Sequence, residues 1–119
     1  MNEELDLEQV EQEIEVSIEA AKGAVDRKNK IAKMFDDDDF KEIVEEGYFK
    51  NEAARLVSLL TDPEFAGEER QTELKNDMLG ISSFRQYLLN MHRIGVQMEN
   101  QIKTSEDELI ALRNEQEGE

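Results

Sequence analysis

A three- and four-residue spacing of mostly apolar residues runs through the second half of the chain. The positions that keep this spacing are Leu74, Asp77, Ile81, Phe84, Leu88, Met91, Gly95, Met98, Ile102, Ser105, Leu109 and Leu112. A heptad repeat of this kind lines one side of a helix with apolar residues and forms a seam for another helix. The spacing therefore predicts one long helix over residues 68–115.

Two glycines and a capping signal fall inside this predicted helix. Gly80 and Gly95 each weaken a helix by about 1 kcal/mol relative to alanine, or else they allow a second helix to approach closely. Ser105 with Glu108 spells a capping box, which can mark a break near Thr104. Because the heptad spacing continues unchanged past Thr104, we expect the helix to continue as well.

The first segment of the chain carries a weaker version of the same spacing. Its positions are Leu7, Val10, Ile14, Ser17, Ala21, Ala24, Lys28, Ile31 and Phe35. Eight acidic residues and no basic one precede Ala20, whereas basic residues crowd the stretch Lys22–Lys33. Acid near the N-terminus and base near the C-terminus complement the helix dipole. A long helix over residues 5–35 is predicted. Its basic residues are expected to pair with the Asp36–Asp39 turn or with glutamates on the neighbouring helix.

Four consecutive aspartates, Asp36–Asp39, follow this helix. They do not fit a calcium-binding EF-hand, because the sixth and twelfth positions counted from Asp36 are Lys41 and Gly47 instead of glycine and glutamate. Adjacent residues on a helix point to different sides, which disfavours binding of one ion by all four. We favour a turn in which one of Asp36–Asp38 caps the next helix, and a divalent-metal-responsive switch is the alternative.

Residues 38–61 are predicted to form two short helices. Gly47 is expected at the C′ position, just after the end of the first helix, and Asn51 can cap the second. Asp62 and Pro63 then suit the start of a further helical turn. The residues expected to face the core are Phe40, Ile43, Val44 and Phe65.

The predicted fold is all-α: an elongated antiparallel helical hairpin in a single domain, residues 1–119. Two short helices lie at the connecting end, and the seam resembles a coiled coil. The last helix exceeds the first by about fifteen residues, so part of its seam is expected to lack a partner in the same chain. Such seams usually bind another copy or another protein. The predicted association residues are Ile81, Phe84, Leu88, Met91, Met98, Ile102, Leu109 and Leu112.

The charge and the residue types argue against catalysis and nucleic-acid binding. Thirty acidic residues against fourteen basic ones give a net charge of −16, which repels phosphate backbones and anionic membranes. There is no cysteine, and the single histidine, His92, has no acidic or ligand residue three or four positions away. No nucleophile triad or phosphate-binding loop is visible. We expect a protein that is not an enzyme and that uses no cofactor or metal.

Two stretches resemble small acidic helical proteins of tailed bacteriophages. These are "DDFKEIVEEGYF" with the following "NEAARLVSLLTDPEF", and the later "SSFRQYLLNMHRIGVQMENQI". The resemblance covers residues 36–115 and has no catalytic signature. It implies an accessory protein of the virion or of its assembly.

The resulting hypothesis is a phage structural or assembly protein that acts through helix–helix association. Its expected partners are a second copy, another phage virion protein or both, and neither nucleic acid nor a membrane. Its expected location is the virion or the host cytoplasm. The alternative is an acidic phage inhibitor that mimics nucleic acid and occupies a basic groove on a host protein.

Overall fold

The computed structural model describes residues 2–117, with side chains from residue 6 onward. Residues 1, 118 and 119 of the predicted domain 1–119 lie outside the described residues. The chain is all-α, as predicted, and no strand occurs within residues 2–117. The elements are helix α1 (Asn2–Asp36), helix α2 (Asp38–Phe40), a π-helix (Lys41–Glu52), helix α3 (Ala53–Leu59), a 3₁₀ turn (Pro63–Phe65) and helix α4 (Glu68–Glu117).

The two long helices confirm the predicted hairpin and its unequal arms. Helix α1 has 35 residues and helix α4 has 50, close to the predicted spans. Helix α4 continues through Thr104, whose hydroxyl donates to the Asn100 carbonyl at 3.2 Å inside the same helix. The capping box at Ser105 therefore does not interrupt the helix.

The chain divides into two compact units. The terminal unit contains the described residues up to Lys30 and those from Met91 onward. The central unit is Ile31–Asn90.

In the terminal unit, helices α1 and α4 pack in antiparallel orientation. Lys28 pairs with Glu99, while Arg113 donates to Glu11 at 2.9 Å and lies 3.5 Å from Glu15. The later residue of α4 therefore pairs with the earlier residues of α1, as antiparallel helices require. Lys28 and Arg113 both meet glutamates on the neighbouring helix, and for Lys28 this was predicted.

At Gly95 the two helices of this unit approach each other closely. A Cβ atom built at Gly95 would lie 2.9 Å from the Ala24 carbonyl oxygen and would overlap the Lys28 side chain. The absence of a side chain thus allows α1 to pack directly against the α4 backbone. The buried apolar side chains of this unit are Ile18, Ala21 and Leu109.

The turn after α1 is formed by capping. Asp37 has an extended backbone, with φ −76° and ψ 127°, and its carboxylate accepts a hydrogen bond from the Phe40 N–H at 2.9 Å. Phe35 and Phe40 meet edge to face across this turn, with ring centroids 5.6 Å apart. The prediction that one of Asp36–Asp38 caps the next helix is confirmed.

The expected break at Gly47 is wrong, because the chain is helical from Asp38 to Leu59 without interruption. Gly47 and Asn51 both lie inside the π-helix, and no glycine of the described chain has a positive φ. The two short helical segments are therefore joined through the π-helix. A π-helix bonds residue i to residue i+5, so a helical face spaced for an α-helix is rotated there. Ile43, which was expected to be buried, is accordingly 68% exposed.

The core of the central unit lies where α3 and the first part of α4 meet. Leu56, Leu74 and Ile81 are buried there. The half-buried residues packed against them are Phe49, Ala53, Leu59, Leu60, Phe65 and Met78. Asp62 caps the 3₁₀ turn by accepting from the Glu64 N–H at 2.9 Å, with Pro63 in its first turn, as predicted.

Candidate docking surface

The predicted association residues are mostly covered by the chain itself. Ile81, Leu88 and Leu109 are buried, so the expectation that part of the seam lacks a partner in the same chain is wrong at these positions. Half-buried members are Met91, Met98, Ile102 and Leu112. Phe84 is 40% exposed and is the member of the set that remains accessible. A role of the seam in association stays a prediction.

Among the described residues, most exposed large apolar side chains other than Phe84 lie outside the predicted set, and most of them lie in the central unit. The exposed large apolar side chains of this unit are Met34, Ile43, Tyr48, Val57, Leu79, Phe84, Tyr87 and Leu89. Those of the terminal unit are Val10, Val16, Val96 and Ile110. Leu79, Tyr87 and Leu89 are large apolar residues of α4 that do not occupy heptad positions. Their occurrence off the heptad was the sequence signal for this surface, and the heptad analysis missed it.

Three aromatic rings cluster between the π-helix and α4. The centroids of Tyr48 and Phe49 are 5.9 Å apart, those of Phe49 and Phe84 5.7 Å, and those of Tyr48 and Phe84 6.4 Å. Aromatic pairs at these distances are mutually favourable. Tyr48 and Phe84 nevertheless keep about two-fifths of their surface exposed. The cluster is therefore both a packing element and an accessible surface.

A groove of about 270 Å³ runs beside this cluster and is called the π-side groove below. It is lined by Tyr48, Glu52, Leu56, Asn76, Asp77, Gly80 and Ile81. A Cβ atom built at Gly80 would meet no atom within 4 Å, so the glycine leaves open space in the wall. The floor is apolar and the walls carry carboxylates, an aromatic ring and an amide.

An arginine on α3 partly neutralises the carboxylates of the π-side groove. Arg55 donates to the two carboxylate oxygens of Glu52, at 3.0 Å from Nε and 2.5 Å from Nη2. These hydrogen bonds lower the pKa of Glu52 and raise the pKa of Arg55, and the charge of Asp77 raises the latter further. Two carboxylates against one guanidinium leave a net negative charge at the groove.

A second cleft, of about 440 Å³, lies elsewhere in the central unit. Its lining residues are Phe35, Glu45, Phe49, Arg85 and Leu89. It carries one acidic and one basic side chain, so it has no net charge to select a partner.

The basic residues of α1 in the terminal unit form ion pairs both within the helix and with α4. Lys22 donates to Glu19 at 2.8 Å, and this hydrogen bond raises the pKa of Lys22. Lys30 lies 3.0 Å from Asp26. The pair between Lys28 and Glu99 instead joins the two helices, and its hydrogen bond lowers the pKa of Glu99. The basic stretch Lys22–Lys33 is thus partly neutralised by carboxylates.

The described side chains assemble no metal centre. From residue 6 to residue 117, no three histidine or acidic side chains converge as a metal site would require. Asp36–Asp39 instead form the capped turn, and His92 lies half-buried on α4. Within the part of the chain that the structure describes, no helix combines the length and the apolar character needed to cross a membrane.

Comparison with known proteins gives no match. No protein-family model, curated protein or solved structure matches the chain.

Proposed function

We propose that this chain is a non-enzymatic structural or assembly protein that works through helix–helix association, with itself or with another protein. One observation carries the proposal. In the central unit, eight large apolar side chains are exposed, whereas only the five residues Ile31, Leu56, Leu74, Ile81 and Leu88 are buried as core. With so few residues buried in its core, this unit has exposed apolar side chains that helix–helix association would remove from water.

The resemblance to small acidic proteins of tailed bacteriophages supports a virion or assembly setting. In that setting, the expected partner is a second copy or another virion protein. The aromatic surface around Phe84 and Tyr87 supplies the kind of large, rigid anchors that are enriched at the centres of interfaces.

The test is the molar mass in solution, measured by light scattering behind a sizing column at low and high salt. We expect a mass above the 13.8 kDa of one chain that persists at high salt, or a stable complex with a virion protein. Replacing Phe84 and Tyr87 by glutamine is expected to abolish the assembly. The matched replacement of Val96 and Ile110, exposed in the terminal unit, is expected to preserve it. A strict monomer that recovers no virion protein from infected cells would overturn the proposal.

The alternative is an acidic inhibitor that occupies a basic groove on a host nucleic-acid enzyme. The net charge of −16 favours it. The test is the retention of host DNA-binding proteins on the immobilised chain in rising salt, with double-stranded DNA as competitor. A nucleic-acid mimic is expected to release them at several hundred millimolar salt and in the presence of DNA. Retention insensitive to both would contradict mimicry.

A further inference from the structure

We infer that the π-side groove receives a lysine or arginine side chain from an amphipathic helix of a basic protein partner. The inference rests on the proposed function, because it names the partner class for association through the central unit. It goes further by assigning the contact to the groove beside Tyr48 and Gly80.

The groove has the chemistry that a long basic side chain requires. Lysine and arginine pack their aliphatic stems against apolar surface while their charged ends reach polar groups. The floor of the groove contains Leu56 and Ile81, and its walls contain Glu52 and Asp77. The exposed ring of Tyr48 adds a surface that attracts cations through its electron-rich face. Apolar floor, carboxylates and aromatic ring thus occur together within about 270 Å³.

Helix α4 continues the groove as an exposed stripe. Asp77, Gly80, Phe84 and Tyr87 are spaced by three or four residues, so they share one side of the helix, and all four are exposed. Gly80 offers close approach, whereas Phe84 and Tyr87 offer apolar contact. A helix laid along such a stripe buries apolar anchors at the same three- and four-residue spacing.

Charge favours a foreign basic partner over a second copy. Each copy carries −16, and the central unit alone has fourteen acidic residues against seven basic ones. Bringing two such surfaces together opposes association, whereas a basic segment gains from the same field. The groove itself also has a net negative charge, from Glu52 and Asp77 against Arg55.

The experiment uses the full chain and a defined probe. The probe is a fluorescein-labelled amphipathic peptide of about 18 residues, with leucines at positions i, i+3, i+4 and i+7 flanked by lysine and arginine. Binding is followed by fluorescence anisotropy at low and moderate salt. Control peptides are a scramble of the same composition and a version with glutamate in place of each basic residue. We expect saturable micromolar binding of the amphipathic basic peptide alone.

Two variants locate the binding. Gly80→Gln fills the open wall of the groove without adding apolar surface, and it is expected to weaken binding about tenfold. The matched control is Gly23→Gln, because Gly23 is also a helical glycine with open space around it but lies in the terminal unit. Asp77→Asn is expected to weaken binding about threefold, as for a surface ion pair, with a smaller salt dependence. Its matched control is Asp107→Asn, an exposed acid of α4 in the terminal unit.

Several outcomes would overturn the inference. These are no binding by the wild-type chain, equal binding of the scrambled or acidic peptide, or equal weakening by Gly80→Gln and Gly23→Gln. A wild-type dimer that Gly80→Gln converts to a monomer would identify the occupant as a second copy and would also overturn it. Unfolding curves of each variant verify that the fold is retained.

The two proposals fail separately. A salt-resistant assembly that does not bind the peptide would support the proposed function and contradict the inference. Groove-dependent peptide binding by a strictly monomeric chain would uphold the inference and remove self-association from the proposed function.

Discussion

The terminal and central units are both built from helices, but their helices are joined by different chemistry. In the terminal unit, α1 and α4 meet through the side-chain-free backbone at Gly95 and through interhelical ion pairs at Lys28 and Arg113. The central unit is joined by apolar and aromatic packing around Leu56 and Phe49. Its described ion pairs, Lys50 with Glu46 and Arg55 with Glu52, join residues three or four positions apart in the continuous helical stretch Asp38–Leu59.

This difference explains why the exposed apolar side chains lie mostly in the central unit. Close backbone approach and charge pairing align two helices while exposing few large apolar groups. Packing a π-helix and a short α-helix onto α4 buries a small core but leaves Tyr48 and Phe84 partly exposed. The described interhelical ion pairs of the two long helices thus lie in the terminal unit, whereas the surface proposed above for partner binding lies in the central unit.

The strongest test of this comparison is the core of the central unit. Leu56 is 2% exposed, so Leu56→Ala removes buried methyl groups and leaves a cavity, which we expect to cost about 3 kcal/mol of unfolding free energy. Urea unfolding followed by circular dichroism measures this loss. Val57→Ala is the control, because the neighbouring Val57 is 54% exposed. Equal losses for the two variants would contradict the assigned core.

The close approach in the terminal unit gives the next largest effect. Gly95→Ala places a methyl group against the Ala24 carbonyl and the Lys28 side chain, and we expect it to lower the unfolding free energy by about 2 kcal/mol. Gly23→Ala, at a helical glycine with open space, should instead raise it by up to about 1 kcal/mol. Thermal and urea unfolding measure both. A stabilising Gly95→Ala would show that the helices do not touch there.

A smaller effect is expected at the turn between α1 and α2. Asp37→Ala removes the acceptor of the Phe40 N–H and should cost about 1 kcal/mol. Asp37→Asn keeps a capping acceptor and should stay close to the wild type in the same urea titration. Equal destabilisation by both substitutions would assign the role of Asp37 to its charge instead of to the hydrogen bond.

The smallest effect is a pH dependence in the terminal unit. The hydrogen bond from Lys28 lowers the pKa of Glu99 in the folded chain. A carboxyl with a lowered folded pKa contributes stability above its unfolded pKa of about 4.3, and that stability is lost as the pH falls through the folded value. Between about pH 5 and pH 3, the wild type should lose more stability than Glu99→Gln.

Unfolding curves at several pH values measure this difference. Asp107→Asn, which removes an exposed acid from the same helix, is the control and should follow the wild type. Parallel pH profiles for the wild type and Glu99→Gln would show that the pair with Lys28 does not form in solution.

The all-α class, the bounds of the two long helices and the caps at Asp37 and Asp62 could be predicted, because these depend on residues close together in the sequence. Asp37 and Asp62 cap through their own side chains, and α4 keeps one apolar spacing throughout. The π-helix was missed because its bonding pattern lacks a residue signature comparable to a cap. Gly47 suggested a helix end, yet the helix continues through it with a negative φ.

The candidate surface was predictable only in part. The heptad identified Phe84, but it also selected Ile81, Leu88 and Leu109, which the chain buries. A heptad shows which residues form a seam without showing whether the covering helix comes from the same chain. The π-side groove depends on the tertiary placement of Tyr48 and Glu52 beside Asp77 and Gly80, which no local pattern encodes.

The absence of a side chain at Gly95 also limits how the two helices of the terminal unit can slide. A shift of α4 by one turn, about 5.4 Å, would bring the side chain of Met91 or Glu99 into the space that now admits α1. The same shift would separate Lys28 from Glu99. The glycine therefore opposes sliding of the two helices past each other, so a force along the helix axes would move them together.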